Sequence, residues 1–482
     1  MLLLSLCITM LVSAKVYNVR DYGAVGDGTH IDSPPIDETI AKATDCGDTV
    51  VVPAGIYLCY SVHLKSNVTI ILEKGAVIKA AKPTEHLGYD ASEPADTLYQ
   101  DFGHSHWHNS LLWGEEIENV CIEGEGLIDG SGVLSRSKQR TNKFGQPLAN
   151  KALAMKNCKK VTVKGLKFLN CGHFAVLMTG VDDLLISKLR IDTNRDGIDI
   201  DCCERVVVED CNVNTLNDDA VVLKCSYALG WAKPTKDVLI ENCRVSGYDV
   251  GSMMNNTFTT NIEKAPDGDG PTGRIKLGTE SNGGFENIVI RDCSFEHCRG
   301  LALETVDGAP MKNVRVSNLQ MNDICNSPIY IRLGDRMRGP ANFHPSTVED
   351  IYIENINVKN ADSRYGCIIA GEEGRPVRNV TIKNVCIEYE GGLTLEDVRN
   401  QRGSNPFFFH KKVQPRTKEL KKYPEPSAHG IQPAWGFNIY YAENILLQNI
   451  KLSVKHPDER PSVFQSSTQQ VKFQNPNNCV EL

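Results

Sequence analysis

The feature that most constrains this chain is a repeat distance. Apolar runs starting at Val161, Leu184 and Val206 are 23 and 22 residues apart, and each alternates apolar with polar positions. Alternation of this kind signals strand rather than helix. The same pattern, entered through Asn or Asp, recurs at Asn67, Asn119, Asp183, Asp237, Asn287, Asn313, Asp350, Asn379 and Asn444. One strand pattern per fixed period is the signature of stacked coils. The chain is therefore expected to be all-β, a single-domain right-handed parallel β-helix over residues 15–482. An amphipathic stretch, Ile36 to Ala43, is expected to form an N-terminal helical cap, because a solenoid needs its open end covered.

Within that period lies the most acidic stretch, Ile191 to Ser226, with turns at Asn194-Arg195-Asp196-Gly197 and Asn217-Asp218-Asp219. Asp196 lies 12 residues after Leu184, Asp218 lies 12 after Val206, and His173 lies 12 after Val161. Equal offsets stack at roughly 4.8 Å per rung in a parallel solenoid. The spacing predicts a column of His173, Asp196 and Asp218, with Asp219 beside it. Asn and Asp favour turns for local reasons, but stacked carboxylates repel, and a purely structural ladder would use neutral Asn. Such a column suits a chemical site. Crowded acids push one another's pKa apart, which is how one carboxyl stays protonated beside an ionised one.

Charge and composition limit the partners. The net charge of −8 and pI near 5.9, without a dominant basic stripe, argue against nucleic acid. Residues 2–14, LLLSLCITMLVSA, are apolar and too short to span a membrane. They end in Val12-Ser13-Ala14, so residues 1–14 read as a signal peptide and the protein as secreted or periplasmic. Seventeen cysteines would suggest disulfides in an exported chain. However, Cys158, Cys171, Cys203, Cys211, Cys243, Cys293, Cys298 and Cys386 sit in or beside strand patterns, where a small apolar residue fills a coil. Free buried thiols are expected, and the spacing suits no zinc site.

Two inserts exceed the period: residues 247–272, and the Pro-rich, charged residues 391–434. Long loops on a rigid scaffold shape binding grooves. The segment Phe102 to His108, with Trp113, has the aromatic content to stack on sugar faces. Ile329-Tyr330-Ile331-Arg332 alternates, placing Tyr330 and Arg332 on one face as ligand contacts or solvated residues.

These motifs carry a resemblance. Tyr22 to Gly28, YGAVGDG, is similar to the N-terminal segment of many pectin-active β-helices. Asn194-Arg195-Asp196-Gly197-Ile198-Asp199 resembles the NTDGID motif of glycoside hydrolase family 28, the polygalacturonase and rhamnogalacturonan hydrolase family, and Asp218-Asp219 resembles its paired aspartates one coil later. The resemblance covers almost the whole chain. It implies an inverting hydrolase needing no metal or other cofactor, with Asp218 as general acid and with Asp196 and Asp219 activating water.

Two family motifs are absent. Where GHG would fall the chain has Gly273 to Gly284, and where RIK would fall it has Gly300-Leu301-Ala302-Leu303-Glu304-Thr305. Ala302 and Glu304 cannot grip a uronate carboxylate as Arg and Lys do. The expected substrate is therefore a pectic polysaccharide or oligosaccharide with a rhamnogalacturonan or related linkage rather than plain homogalacturonan. Arg274 and Lys276, Lys224 and Arg332 are expected to supply shifted uronate contacts, leaving the Ala302 position for a neutral sugar. His173, Asp199, Glu280, Glu304 and Tyr330 complete the expected substrate-binding set. The protein reads as a monomer. Two alternatives stay open: a lyase using Ca²⁺ on Asp196, Asp199, Asp218 and Asp219 with Lys224 or Arg274 as base, and a non-catalytic carbohydrate-binding solenoid.

Overall fold

The Asn or Asp before each apolar run makes a corner. Asn67, Asn119, Asp183, Asp237, Asn287, Asn313, Asp350, Asn379 and Asn444 all take left-handed φ values between 53° and 65°, which these residue types tolerate best after glycine. Stacked corners then pair through their side chains: Asn313 Nδ2 donates to Asn287 Oδ1 at 2.6 Å, and Asn444 Nδ2 to Asn379 Oδ1 at 2.8 Å. A second ladder runs from Asn449 to Asn384 and on to Asn355 and Asn318. Corner amides in these ladders therefore satisfy one another from rung to rung.

The computed structural model describes residues 14–43, 45, 47–94, 99, 104–135, 139–266, 268–341, 344–401 and 423–474. Most of the expected signal segment lies outside them. The strands build a right-handed parallel β-helix, and the apolar runs are its rungs. Val161 pairs with Leu184, Leu184 with Val206, Val206 with Val238, Val238 with Ile288 and Ile288 with Val314, all parallel. The series continues through Ile351, Val380 and Ile445. Their side chains form one continuous core from Val19 to Leu452. Among the described residues no helix is long and apolar enough to cross a membrane.

The cap is an α-helix, Ser33–Lys42, burying Ile36 and Ile40. It starts three residues before the amphipathic stretch because Pro34 and Pro35 fit a first turn, where no amide donor is missed. The cysteines Cys158, Cys171, Cys203, Cys211, Cys243, Cys293 and Cys298 are free and buried, and Cys386 is free and half-buried.

Candidate active site

The strand Asp196–Asp201 sends Ile198 and Ile200 into the coil core and Asp199 and Asp201 to the outer face. Gly197 is required by a close approach: a Cβ there would run into the Ala220 carbonyl oxygen and lie 2.5 Å from Val213 Cγ1. This contact sets the next coil against the Asp196 turn, with Gly197 N donating to Asp219 O at 3.1 Å.

The acidic column forms with a one-residue slip. Ile198 pairs with Val221, a step of 23, so Asp219 rather than Asp218 continues the column above Asp196. On the other side Phe174, not His173, pairs with Asp196. The slip arises in the turns, whose length the apolar spacing does not report. His173 is buried, stacked on the Phe174 ring at 4.3 Å, with Nε2 4.0 Å from Asp196 Oδ2. The three carboxylates nevertheless converge, offering oxygens within 4.8 Å of one another.

Cations surround them. Arg195 pairs with Asp218. Arg274 Nε donates to Asp219 Oδ1 at 2.9 Å, and Lys276 Nζ lies 3.4 Å from Asp219 Oδ2. Burial alone would raise Asp219, but Lys276 and Arg274 outweigh it and hold the carboxyl at about 2. Asp196 goes the other way: burial, reinforced by Asp218, pushes it well above the usual carboxylate range. Asp218 is the most open of the three, its side chain 20% exposed against 4% for each of the others. The turn thus holds one proton-bearing acid, one fixed anion and one carboxyl facing outward. They line a cavity of about 590 Å³ with His104, Lys224, Arg274, Lys276, Glu280 and others.

The remaining expected residues divide. Lys224, Arg274, Lys276 and Glu280 line the cavity. Asp199 lies beneath it, fully buried, accepting from Lys224 Nζ at 2.6 Å and lying 3.3 Å from His104 Nε2. Glu304 is buried 3.6 Å from Lys276, and burial lifts its carboxyl to about 7 against the pull of Lys276 and Arg274. Tyr330 and Arg332 do not line the cavity: the Tyr330 hydroxyl meets His429 Nε2 at 2.9 Å, and Arg332 pairs with Glu372. Ala302 is buried among Tyr330, Tyr365 and Tyr440, so its position is not open to a neutral sugar. Within the aromatic segment His104 lines the cavity, whereas its neighbours pack. Trp107 is buried, donating to Thr179 Oγ1 at 3.0 Å, and His108 stacks on Trp113. Phe102 and Gly103 lie outside the described residues.

Both inserts reach the cavity, through Pro266 and Thr272 and through Tyr423 and Glu425. Glu425 accepts from Arg274 at 3.1 and 2.8 Å and from Arg299 at 3.0 Å. It is 151 residues from Arg274, and nothing local in the sequence marks it. Arg299, Tyr423 and Arg338 were also missed, whereas His104 stood inside the aromatic segment and Arg195 inside the motif.

Comparison with known proteins adds the family. The model described as glycosyl hydrolases family 28 matches residues 49–405. A probable polygalacturonase from Vitis vinifera is 25% identical over 293 residues, 56% of this chain and 59% of that protein. The chain thus spans less than two thirds of that relative. A polygalacturonase from Chamaecyparis obtusa is 28% identical over 434 residues, 87% of this chain and 76% of that protein. The structure of a Yersinia enterocolitica family 28 exopolygalacturonase shares the fold, with TM-score 0.65 and 16% identity over 96% of this chain and 79% of that one.

Proposed function

This chain belongs to glycosyl hydrolase family 28, and we propose that it is an inverting glycosidase of pectic polysaccharide, acting on rhamnogalacturonan or a related galacturonate-containing linkage. The observation that carries the reading is the division of charge among three adjacent carboxyls. Asp196 favours its proton while Asp219 is held anionic. Acid–base cleavage of a glycoside needs one acid and one base at the same moment.

In the proposed step Asp218, the most open carboxyl, gives a proton to the leaving glycosidic oxygen. Water attacks the anomeric carbon from the opposite face as the C–O bond breaks, and its proton passes to Asp219, with Asp196 orienting the water. Asp196, pushed up by burial and by the neighbouring Asp218, favours its protonated form beside that carboxyl in the resting site. The inverting outcome rests on the family resemblance.

A lyase reading is less well supported. Burial would lower Lys224 and Arg274, but Asp199 holds Lys224, and Glu425 holds Arg274, well above their usual values. Neither can act as a base. Three of the four carboxylates a Ca²⁺ ion would want, Asp199, Asp218 and Asp219, are already paired with Lys224, Arg195, Arg274 and Lys276.

Preference for a mixed linkage follows from how the cations are used. Arg274 and Lys276 spend their charge on Asp219, Glu425 and Glu304. The cavity therefore offers little free positive charge for consecutive galacturonates, and a neutral unit between them fits better. Export, suggested by residues 2–14, and a monomeric state belong to the same proposal. The test is digestion of rhamnogalacturonan and homogalacturonan oligosaccharides. New reducing ends without the ultraviolet absorbance of an unsaturated uronate, faster on rhamnogalacturonan, support the reading. Unsaturated products, or preference for homogalacturonan, contradict it.

A further inference from the structure

We propose that Arg338 is the specificity-determining side chain that receives a carboxylate of the substrate. The inference rests on the pectic reading above and deepens it. Six cationic side chains line the cavity: Arg195, Lys224, Arg274, Lys276, Arg299 and Arg338. The first five each meet a carboxylate of the protein. Arg195 pairs with Asp218, Lys224 with Asp199, Arg274 and Lys276 with Asp219, and Arg299 with Glu425. Arg338 has no such partner among the described residues, and it is exposed.

Its backbone, by contrast, is fixed. Arg338 N donates to Asp307 Oδ1 at 3.0 Å, and its carbonyl accepts from Asn282 Nδ2 at 2.8 Å. Asn282 and Asp307 are themselves buried. Asp307 also holds Arg336, so the loop is anchored two residues before the free guanidinium. An anchored main chain with an unspent planar cation at a cavity wall is the arrangement that binds a carboxylate in two-pronged fashion.

The position suits a polymer. Asn282 and Pro340 line a second, more open groove of about 440 Å³ with Trp231, which is 52% exposed. Arg338 thus stands on the wall between the catalytic cavity and a surface along which further sugars can lie. It is carried by the loop that follows the strand Ile329–Leu333, two coils beyond Lys276, since Lys276 pairs with Ala302 and Ala302 with Tyr330. The one strand between, Leu301–Thr305, has Ala302 and Glu304 in register with Tyr330 and Arg332, and no cation. The one unspent arginine or lysine charge among the described residues of the cavity would grip one uronate and leave its neighbour ungripped.

The experiment is calorimetric binding of a rhamnogalacturonan oligosaccharide and of its carboxyl-reduced counterpart to the Asp218→Asn protein, with and without Arg338→Gln. Arg338→Gln is expected to weaken the acidic ligand by about 10- to 100-fold, the scale of a charge-assisted hydrogen bond, and to leave the reduced ligand within about twofold. Arg338→Lys is expected to fall between. Equal loss on both ligands, or no loss on the acidic one, overturns the role of Arg338 while leaving the pectic reading intact. Failure of Asp218→Asn protein to bind either ligand overturns the pectic reading and this inference with it. An unchanged melting temperature of Arg338→Gln separates lost recognition from lost folding.

Discussion

Arg274 ties Asp219 to a residue 206 positions further along the chain: its Nε donates to Asp219 Oδ1 at 2.9 Å while its remaining nitrogens hold Glu425. The guanidinium is therefore a positioning group for the site's fixed anion rather than a free substrate contact. With Lys276 it keeps the Asp219 carboxyl at about 2 despite burial. Arg274→Ala leaves two buried carboxylates under-neutralised, which costs about 3–5 kcal/mol of stability. It should also move the acidic limb of the kcat/KM profile upward, because the base must be ionised and its pKa rises. A melting curve and a pH–rate profile check this; an unshifted acidic limb would refute the assignment of Asp219 as the anion.

Asp196 carries the opposite shift, and the sign of its effect on stability follows. A carboxyl raised in the folded state resists ionising there, while the unfolded chain ionises near about 3.9. Folding is therefore penalised as pH rises above that value. Asp196→Asn should raise the melting temperature at pH 8, and the gain should vanish toward pH 3, where both states of the wild type are protonated. The same variant should lose activity by at least about 10²-fold. A destabilised Asp196→Asn at pH 8 would contradict the buried, proton-bearing acid.

Gly197 tests whether coil spacing positions the site. An added methyl has no room against the Ala220 carbonyl and Val213, so Gly197→Ala should cost about 1–3 kcal/mol through overpacking. Because Gly197 joins Asp196 to its strand, kcat should fall further than stability alone explains. Wild-type kcat in a folded Gly197→Ala protein would mean the turn has slack.

How much of this was legible in the sequence can be argued from particular residues. The rungs were, since the runs at Val161, Leu184, Val206 and Val238 pair as their spacing implies. The convergence of Asp196, Asp218 and Asp219 was also legible. Their register was not, because a turn can absorb an extra residue without disturbing the apolar period on either side. Glu425 and Arg338 were invisible for another reason. They arrive on inserts and loops, whose contacts depend on where the chain folds back rather than on any local pattern. Tyr330 and Arg332 alternate correctly, yet alternation cannot tell a groove wall from a face covered by the His429 segment.

The account rests on Asp218 protonating the leaving sugar while water, held by Asp219 and Asp196, attacks the opposite face. The most direct measurement is a proton NMR time course of rhamnogalacturonan oligosaccharide cleavage, reading the first-formed product before its anomers equilibrate. The account predicts that this product carries the anomeric configuration opposite to that of the bond cleaved, shows no signal of an unsaturated uronate, and fails to form with Asp218→Asn. A first product with retained configuration, or one with an unsaturated end, would contradict it.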